Sequence, residues 1–166
     1  MSHTPQIALL LFTAVACNGA VGEVRIEKPK APPIRVADPD YVVLRPVSQT
    51  PRAGAVSATI YGRPIYYRPA DRIMDLRHFD FRTATLEQGP AEEYVVSLHT
   101  TSQGNKLLRS WTSQNIGKQL GIFVGGRLID APVIKTPITD FIVLEGGFSK
   151  SAAEAILARL RRGGAA

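Results

Sequence analysis

Ser97 and His99 lie two residues apart in the alternating run Tyr94, Val96, Leu98, so a strand would place both side chains on one face. A serine nucleophile needs a base held against its hydroxyl and a third group that orients the base. Nothing in this spacing supplies the third group, and the pair reads as surface neighbours. His3 falls in an export-type leader, which leaves His78 and His99 without an H-x-x-x-H or cysteine partner and so without a zinc set. Glu92 and Glu93 are adjacent and would point to opposite sides of a strand, an arrangement unlike an acid–base couple. Gly146-Gly147-Phe148-Ser149-Lys150-Ser151 opens a helix, where free N–H groups attract phosphate. It lacks the G-x-x-x-x-G-K-[ST] spacing, so Ser149 reads as a helix cap. Trp111 falls on the apolar side of a helix and reads as core. These residues point to a non-enzymatic protein that needs no cofactor and no metal.

The elements that position them follow from the apolar periods. Tyr41 to Leu44 could be a short strand, but Pro46, Pro51 and Gly54 return the chain to loop, so residues 17–57 read as a Pro-rich tether and irregular segment. A folded domain is expected over residues 58–163. Ile60, Ile65 and Tyr67 suggest an edge strand interrupted at Gly62 and Pro64, and Asp71 would cap a helical turn through Leu76. Phe79 to Thr83 and Tyr94 to Leu98 alternate around Gln88-Gly89-Pro90, as a hairpin does. A helix is expected from Ser102 or Gln103 to Ile116, with Leu107, Leu108, Trp111 and Asn115 on its apolar side and Gly117 ending it. Leu120 to Val124 reads as a central strand, Gly125-Gly126 as a hairpin turn, and Phe141 to Leu144 as another central strand. Leu128 to Ile134 carries Pro132, which cannot donate to a ladder, so that strand should lie at an edge. A last helix buries Ala153, Ile156, Leu157 and Leu160, with Arg159, Arg161 and Arg162 at its carboxyl end. The expected class is α+β: a mainly antiparallel sheet with two longer helices packed on one face.

The amino terminus speaks to location. Ile7 to Ala16 is an uncharged apolar run, shorter than the ~20 residues a membrane span needs, and it suits a secretory signal over residues 1–16. Cys17 is the only cysteine, so there is no disulfide framework. Ala14-Val15-Ala16-Cys17 fits two processing routes: a lipobox, in which Cys17 is acylated, or plain cleavage after A-x-A. The position of the lone cysteine at the boundary favours lipidation, and Asn18 rather than Asp after it resembles Gram-negative signals, a resemblance that implies sorting to the outer membrane. The protein would then be exported and periplasmic, touching the membrane by its lipid anchor only. Lys and Arg total 20 against 14 Asp and Glu. The excess is spread along the chain without a basic stripe or interleaved aromatics, which argues against nucleic acid as a partner.

The densest block runs from Thr112 to Phe148. Thr112, Asn115 and Gly117 precede the apolar strand; Leu128, Ala131, Pro132 and Ile134 follow its turn; Gly146, Phe148 and Ser149 open the last helix. At this spacing the chain, from about Ile60 to Gly163, resembles the head of the first periplasmic domain of SecD, the protein-export subunit. Departures are Gly121 where the family usually has Ala, Gly125 where Asp usually begins the turn, and Thr139-Asp140 in place of a glycine-rich loop. The resemblance implies contact with polypeptide or an envelope protein, as an accessory to export. Without membrane spans, the apparatus for proton-coupled pulling would be lacking. Strand addition at an exposed edge is the physical route, with Leu128, Ile129 and Val133 as the candidate peptide-binding edge. A structural envelope lipoprotein docking on a fixed partner is the competing reading, and a hydrolase using Ser97 or His99 a weaker one.

Overall fold

The computed structural model describes residues 40–89 and 92–163. The leader, Cys17 and the expected tether up to residue 39 lie outside the described residues. Eight strands and two helices follow in the order β1 (Val42–Val47), β2 (Val56–Ile60), β3 (Arg63–Tyr67), β4 (Phe79–Gln88), β5 (Tyr94–Thr100), α1 (Ser102–Ser113), β6 (Gln119–Val124), β7 (Arg127–Asp130), β8 (Phe141–Phe148) and α2 (Lys150–Gly163). Every strand pairing is antiparallel, in sheets β1-β6-β7, β2-β3 and β4-β5-β8. The α+β class holds.

β1 departs most from the sequence expectation. The irregular segment expected to end at residue 57 contains a strand that pairs with β6 along its whole length, and Tyr41, Val42, Val43 and Leu44 are fully buried. Pro46 does not stop it, for a geometric reason. Leu44 and Ser48 turn their backbone groups away from β6, bonding Met74 and Tyr66 respectively. Pro46 shares their parity, so its missing N–H falls on the side away from β6 and costs that ladder nothing.

β6 is central, as its charge-free run implies. Leu120, Ile122 and Val124 enter the main core with Val42 and Leu44 of β1, while Phe123 enters a second cluster with Val43, Val47 and Ile65. Gly121 has a packing reason: a Cβ there would stand 2.3 Å from Val47 Cγ1. The β2–β3 pair is a hairpin rather than one broken edge strand, because Tyr61 and Gly62 both take positive φ, 49° and 72°, at its turn. Its Ile65 and Tyr67 cover the second cluster.

On the other side, β5 is the middle strand of β4-β5-β8, with Val96 and Leu98 fully buried. β8, expected to be central, is an edge strand: Ile142 and Leu144 face the core while Phe141 is 48% exposed. Both helices feed the same main core. Thr101 caps α1 by accepting from Gly104 N, and Gly104, Leu108 and Thr112 form the buried face. Leu107 lies outside that face and Trp111 is only half-buried against the core. The helix ends at Ser113, a few residues short of Ile116, as a turn leads into Gly117. Thr112 Oγ1 accepts from Ile138 N at 2.9 Å, tying the loop before β8 to the helix. Asp75, not Asp71, is the cap of the short 3₁₀ turn Leu76–His78; Asp71 instead pairs with Arg68. Ser149 caps α2, and Ala153, Ile156 and Leu160 are buried as expected. Arg159, expected only as a cation at the helix carboxyl end, is buried, with its guanidinium 5.4 Å from the centre of the Tyr41 ring.

Candidate functional site

β7 is the terminal strand of its sheet, with β6 on one side only. The turn Gly125-Gly126 takes φ of 57° and 78°, and a two-residue turn of this kind closes on a hydrogen-bonded pair, here Val124 and Arg127. The next pair, Phe123 and Leu128, is therefore a non-hydrogen-bonded one, which turns the N–H and C=O of Leu128 outward. Ile129 is an extra residue between Leu128 and Asp130, a bulge opposite Phe123 and Ile122. Asp130 then folds its carboxylate onto Ala131 N at 2.7 Å, and β7 stops.

The ladder resumes across Pro132. Leu120 N donates to Pro132 O at 2.9 Å and Ile134 N to Lys118 O at 2.8 Å, so Val133 bridges Gln119 with its own N–H and C=O facing away. The expected strand Leu128–Ile134 is thus two pieces of one edge. Among its proposed residues, Leu128 packs against the second cluster and Ile129 against the main core, while Val133 is 49% exposed. The edge offers main-chain groups; two of its three side chains already serve the cores.

The catalytic candidates do not converge. Ser97 Oγ lies 3.5 Å from Glu87 Oε1, and among the described residues no hydrogen bond joins it to His99. His99 sits opposite Asp80 and Phe141 in register, its ring 5.7 Å from that of Phe141. Asp80 is held by Arg82, whose hydrogen bond lowers the Asp80 pKa, with His99 a smaller influence. His78 is engaged elsewhere, its Nδ1 3.1 Å from Asp75 Oδ1. No group of three His, Cys, Asp or Glu among the described residues is arranged to hold a metal. A cleft of about 790 Å³ opens between the start of β4 and the start of α1, away from the β7 edge. Arg82 and Arg161 line it, the first on Asp80 and the second on Ala84 O.

A feature that periodicity does not reveal lies beside β7. Tyr61, at the tip of the β2–β3 hairpin, is 79% exposed, and a cavity of about 230 Å³ opens beside it, lined also by Gln49, Ile60, Arg63, Ile65, Gln119 and Ala131. The sequence marks this tip only by Tyr61-Gly62, a weak turn signal.

Comparison with known proteins agrees with this architecture. Residues 59–165 match the family model described as SecDF, P1 head subdomain. The protein translocase subunit SecD of Dictyoglomus turgidum is 34% identical over 83 residues, covering 49% of this chain and 21% of that protein. The translocase subunit SecDF of Thermus thermophilus is 45% identical over 69 residues, 41% of this chain and 9% of that one. The chain therefore spans about a fifth or less of these curated relatives. A solved structure of SecDF, described as a membrane component that enhances protein export, superposes with a TM-score of 0.57 at 26% identity, covering 74% of this chain and 62% of that chain. SecDF in a super-membrane-facing form gives 0.55 at 27% identity, over 74% of this chain and 18% of that chain. Among the described residues no helix is long and apolar enough to cross a membrane. The family model covers well over half of the sequence, and the chain belongs to the SecDF P1 head subdomain family.

Proposed function

We propose that this chain is an exported, non-enzymatic head domain that engages extended polypeptide along the outer edge formed by Leu128, Ile129 and Val133, as an accessory to protein export. The observation that carries the reading is the pair of outward-facing backbone positions, Leu128 and Val133, on a terminal strand of a domain whose relatives are translocase subunits. Strand addition draws its affinity from main-chain hydrogen bonds, so the half-buried Leu128 and Ile129 side chains need not leave their cores. The same reading places the mature protein in the periplasm, carried at the outer membrane by an acyl chain on Cys17.

Isothermal titration of the full chain with an unstructured polypeptide, alongside a hydrolysis assay, tests this. Weak binding without turnover is expected, unchanged in His99→Ala and weakened in Val133→Pro, which removes an outward N–H from an exposed position. Tight binding to one folded envelope protein, with none to unstructured chains, would favour a structural docking role. Turnover abolished by His99→Ala would identify an enzyme. Palmitate incorporation lost in Cys17→Ser tests the anchor separately.

A further inference from the structure

The register of the β7 edge turns a third backbone position outward, and side chains of the domain already hold it. Ile122 pairs with Asp130 and Gln119 bridges Val133, so a single register runs from the Ile129 bulge across Pro132. In that register Gly121 stands opposite Ala131. Antiparallel pairs two residues apart share one hydrogen-bonding type, so Ala131 follows Val133 and faces its N–H and C=O away from β6. Both groups are met from within. The Asp130 carboxylate accepts from Ala131 N at 2.7 Å, and Gln119 Nε2 donates to Ala131 O at 3.0 Å. Bulges and charged side chains are means of blunting an open edge, and here Ile129 and Asp130 supply one of each just before Ala131. The outer row thus reads Leu128, Ala131, Val133, with its middle position blocked.

We infer that Gln119 and Asp130 set the specificity of the edge, which takes extended segments with proline opposite Ala131 and main-chain pairing at Leu128 and Val133 on either side. The inference rests on the strand-addition reading above and adds the chemistry of the segment. An ordinary residue opposite Ala131 brings an N–H whose acceptor, the Ala131 carbonyl, is already held by the Gln119 amide. That donor meets another donor, and a donor left without an acceptor costs free energy. Proline brings no N–H, and it biases the residue before it to extended backbone. The carbonyl opposite Ala131 is common to every residue and does not discriminate. Residues directly opposite share a face, so the proline ring would lie on the hairpin side, where Ala131 packs and where Tyr61 stands exposed beside its cavity.

Three short unstructured peptides that differ only at a central position, Pro, N-methyl-alanine or Ala, decide this by fluorescence anisotropy with the full chain. The first two lack the central N–H and should bind about three- to tenfold tighter than the alanine peptide. Gln119→Met keeps the length of the side chain but cannot donate. It frees the Ala131 carbonyl, so the alanine peptide should gain affinity until the three bind alike. Gln119→Glu, also without a donor, repeats the test with a polar side chain. Tighter binding of the proline peptide alone, with N-methyl-alanine behaving as alanine, overturns the inference, since the ring and not the missing N–H is then recognised. A preference that survives in both Gln119 variants overturns it as well. Equal binding of all three peptides to the parent chain, weakened by Val133→Pro, leaves the edge standing and overturns the blocked position. Binding indifferent to Val133→Pro, or no binding of any peptide, overturns the edge itself and the inference with it.

Discussion

The two sides of the β1-β6-β7 sheet bury very different amounts of apolar surface. Among the described residues, the side facing β4-β5-β8 and both helices belongs to a core of nineteen buried residues, whereas the side under the β2–β3 hairpin holds four, Val43, Val47, Ile65 and Phe123. The first has a second sheet and two helices to lean on; the second has a two-stranded hairpin. Local opening free energies follow buried apolar contact, so the hairpin side should open well before the helical side. The proposed binding edge lies between them, with Ile129 anchored in the stable core and Leu128 in the labile one. A rigid frame beside a loosely held cover is the arrangement an edge needs if an incoming chain is to gain access.

Substitutions on the two sides test this contrast. The largest effects should come from the helical side. Leu108→Ala removes a fully buried side chain and should cost about 2–5 kcal/mol, read by denaturant unfolding. Gly104→Ala should be at least as damaging, because its Cβ would fall 2.1 Å from the His78 carbonyl oxygen, a backbone atom that cannot swing aside. Next comes Asp75→Ala, expected to cost about 2 kcal/mol at neutral pH through loss of a buried cap. Its bond to the solvated Arg77 guanidinium adds little by itself. That hydrogen bond nevertheless holds the Asp75 pKa below its usual value, against burial, which raises it. A depressed carboxylate stabilises the fold above its unfolded value, near 3.8, and the gain is lost as pH falls through the lower folded value. The gap between Asp75→Ala and the parent should therefore close in acid and stay constant above about pH 5.

Ile65→Ala, on the hairpin side, should cost less than about 2 kcal/mol although Ile65 is 2% exposed, since the hairpin can open alone and cap the loss. A cost as large as that of Leu108→Ala would mean that the two sides unfold together and would end the contrast. Val133→Lys should shift stability by less than about 0.5 kcal/mol, as expected of an exposed edge position. A larger penalty there would show that something covers the edge.

Where one apolar face decides the element, sequence and structure agree. Leu120 to Val124, the Gly125-Gly126 turn, the cap at Ser149 and the Ala153, Ile156, Leu160 stripe were all legible from local pattern. β1 was not, because the cue that ends a strand, Pro46, is harmless only when its partner lies on the other side, which no local window contains. β8 read as central because Phe141 to Leu144 is continuously apolar, yet it lies at an edge with Phe141 in solvent. Arg159 read as a cation favoured at a helix carboxyl end, and its position there says nothing of Tyr41, more than a hundred residues away, whose ring it covers. At the candidate site, Pro132 marked a strand that lies at a sheet edge, but the cavity beside Tyr61 is lined from distant segments and has no sequence signature.

The most direct test of polypeptide capture at the β7 edge is amide hydrogen exchange of the full chain with and without a saturating unstructured peptide. Slowed exchange confined to Leu128, Ile129 and Val133, with β4 and the start of α1 unchanged, is the predicted result. Unchanged exchange at Leu128 and Val133 with a peptide bound, or protection appearing instead along the Phe79–Arg82 and Thr100–Ser102 cleft, would contradict it.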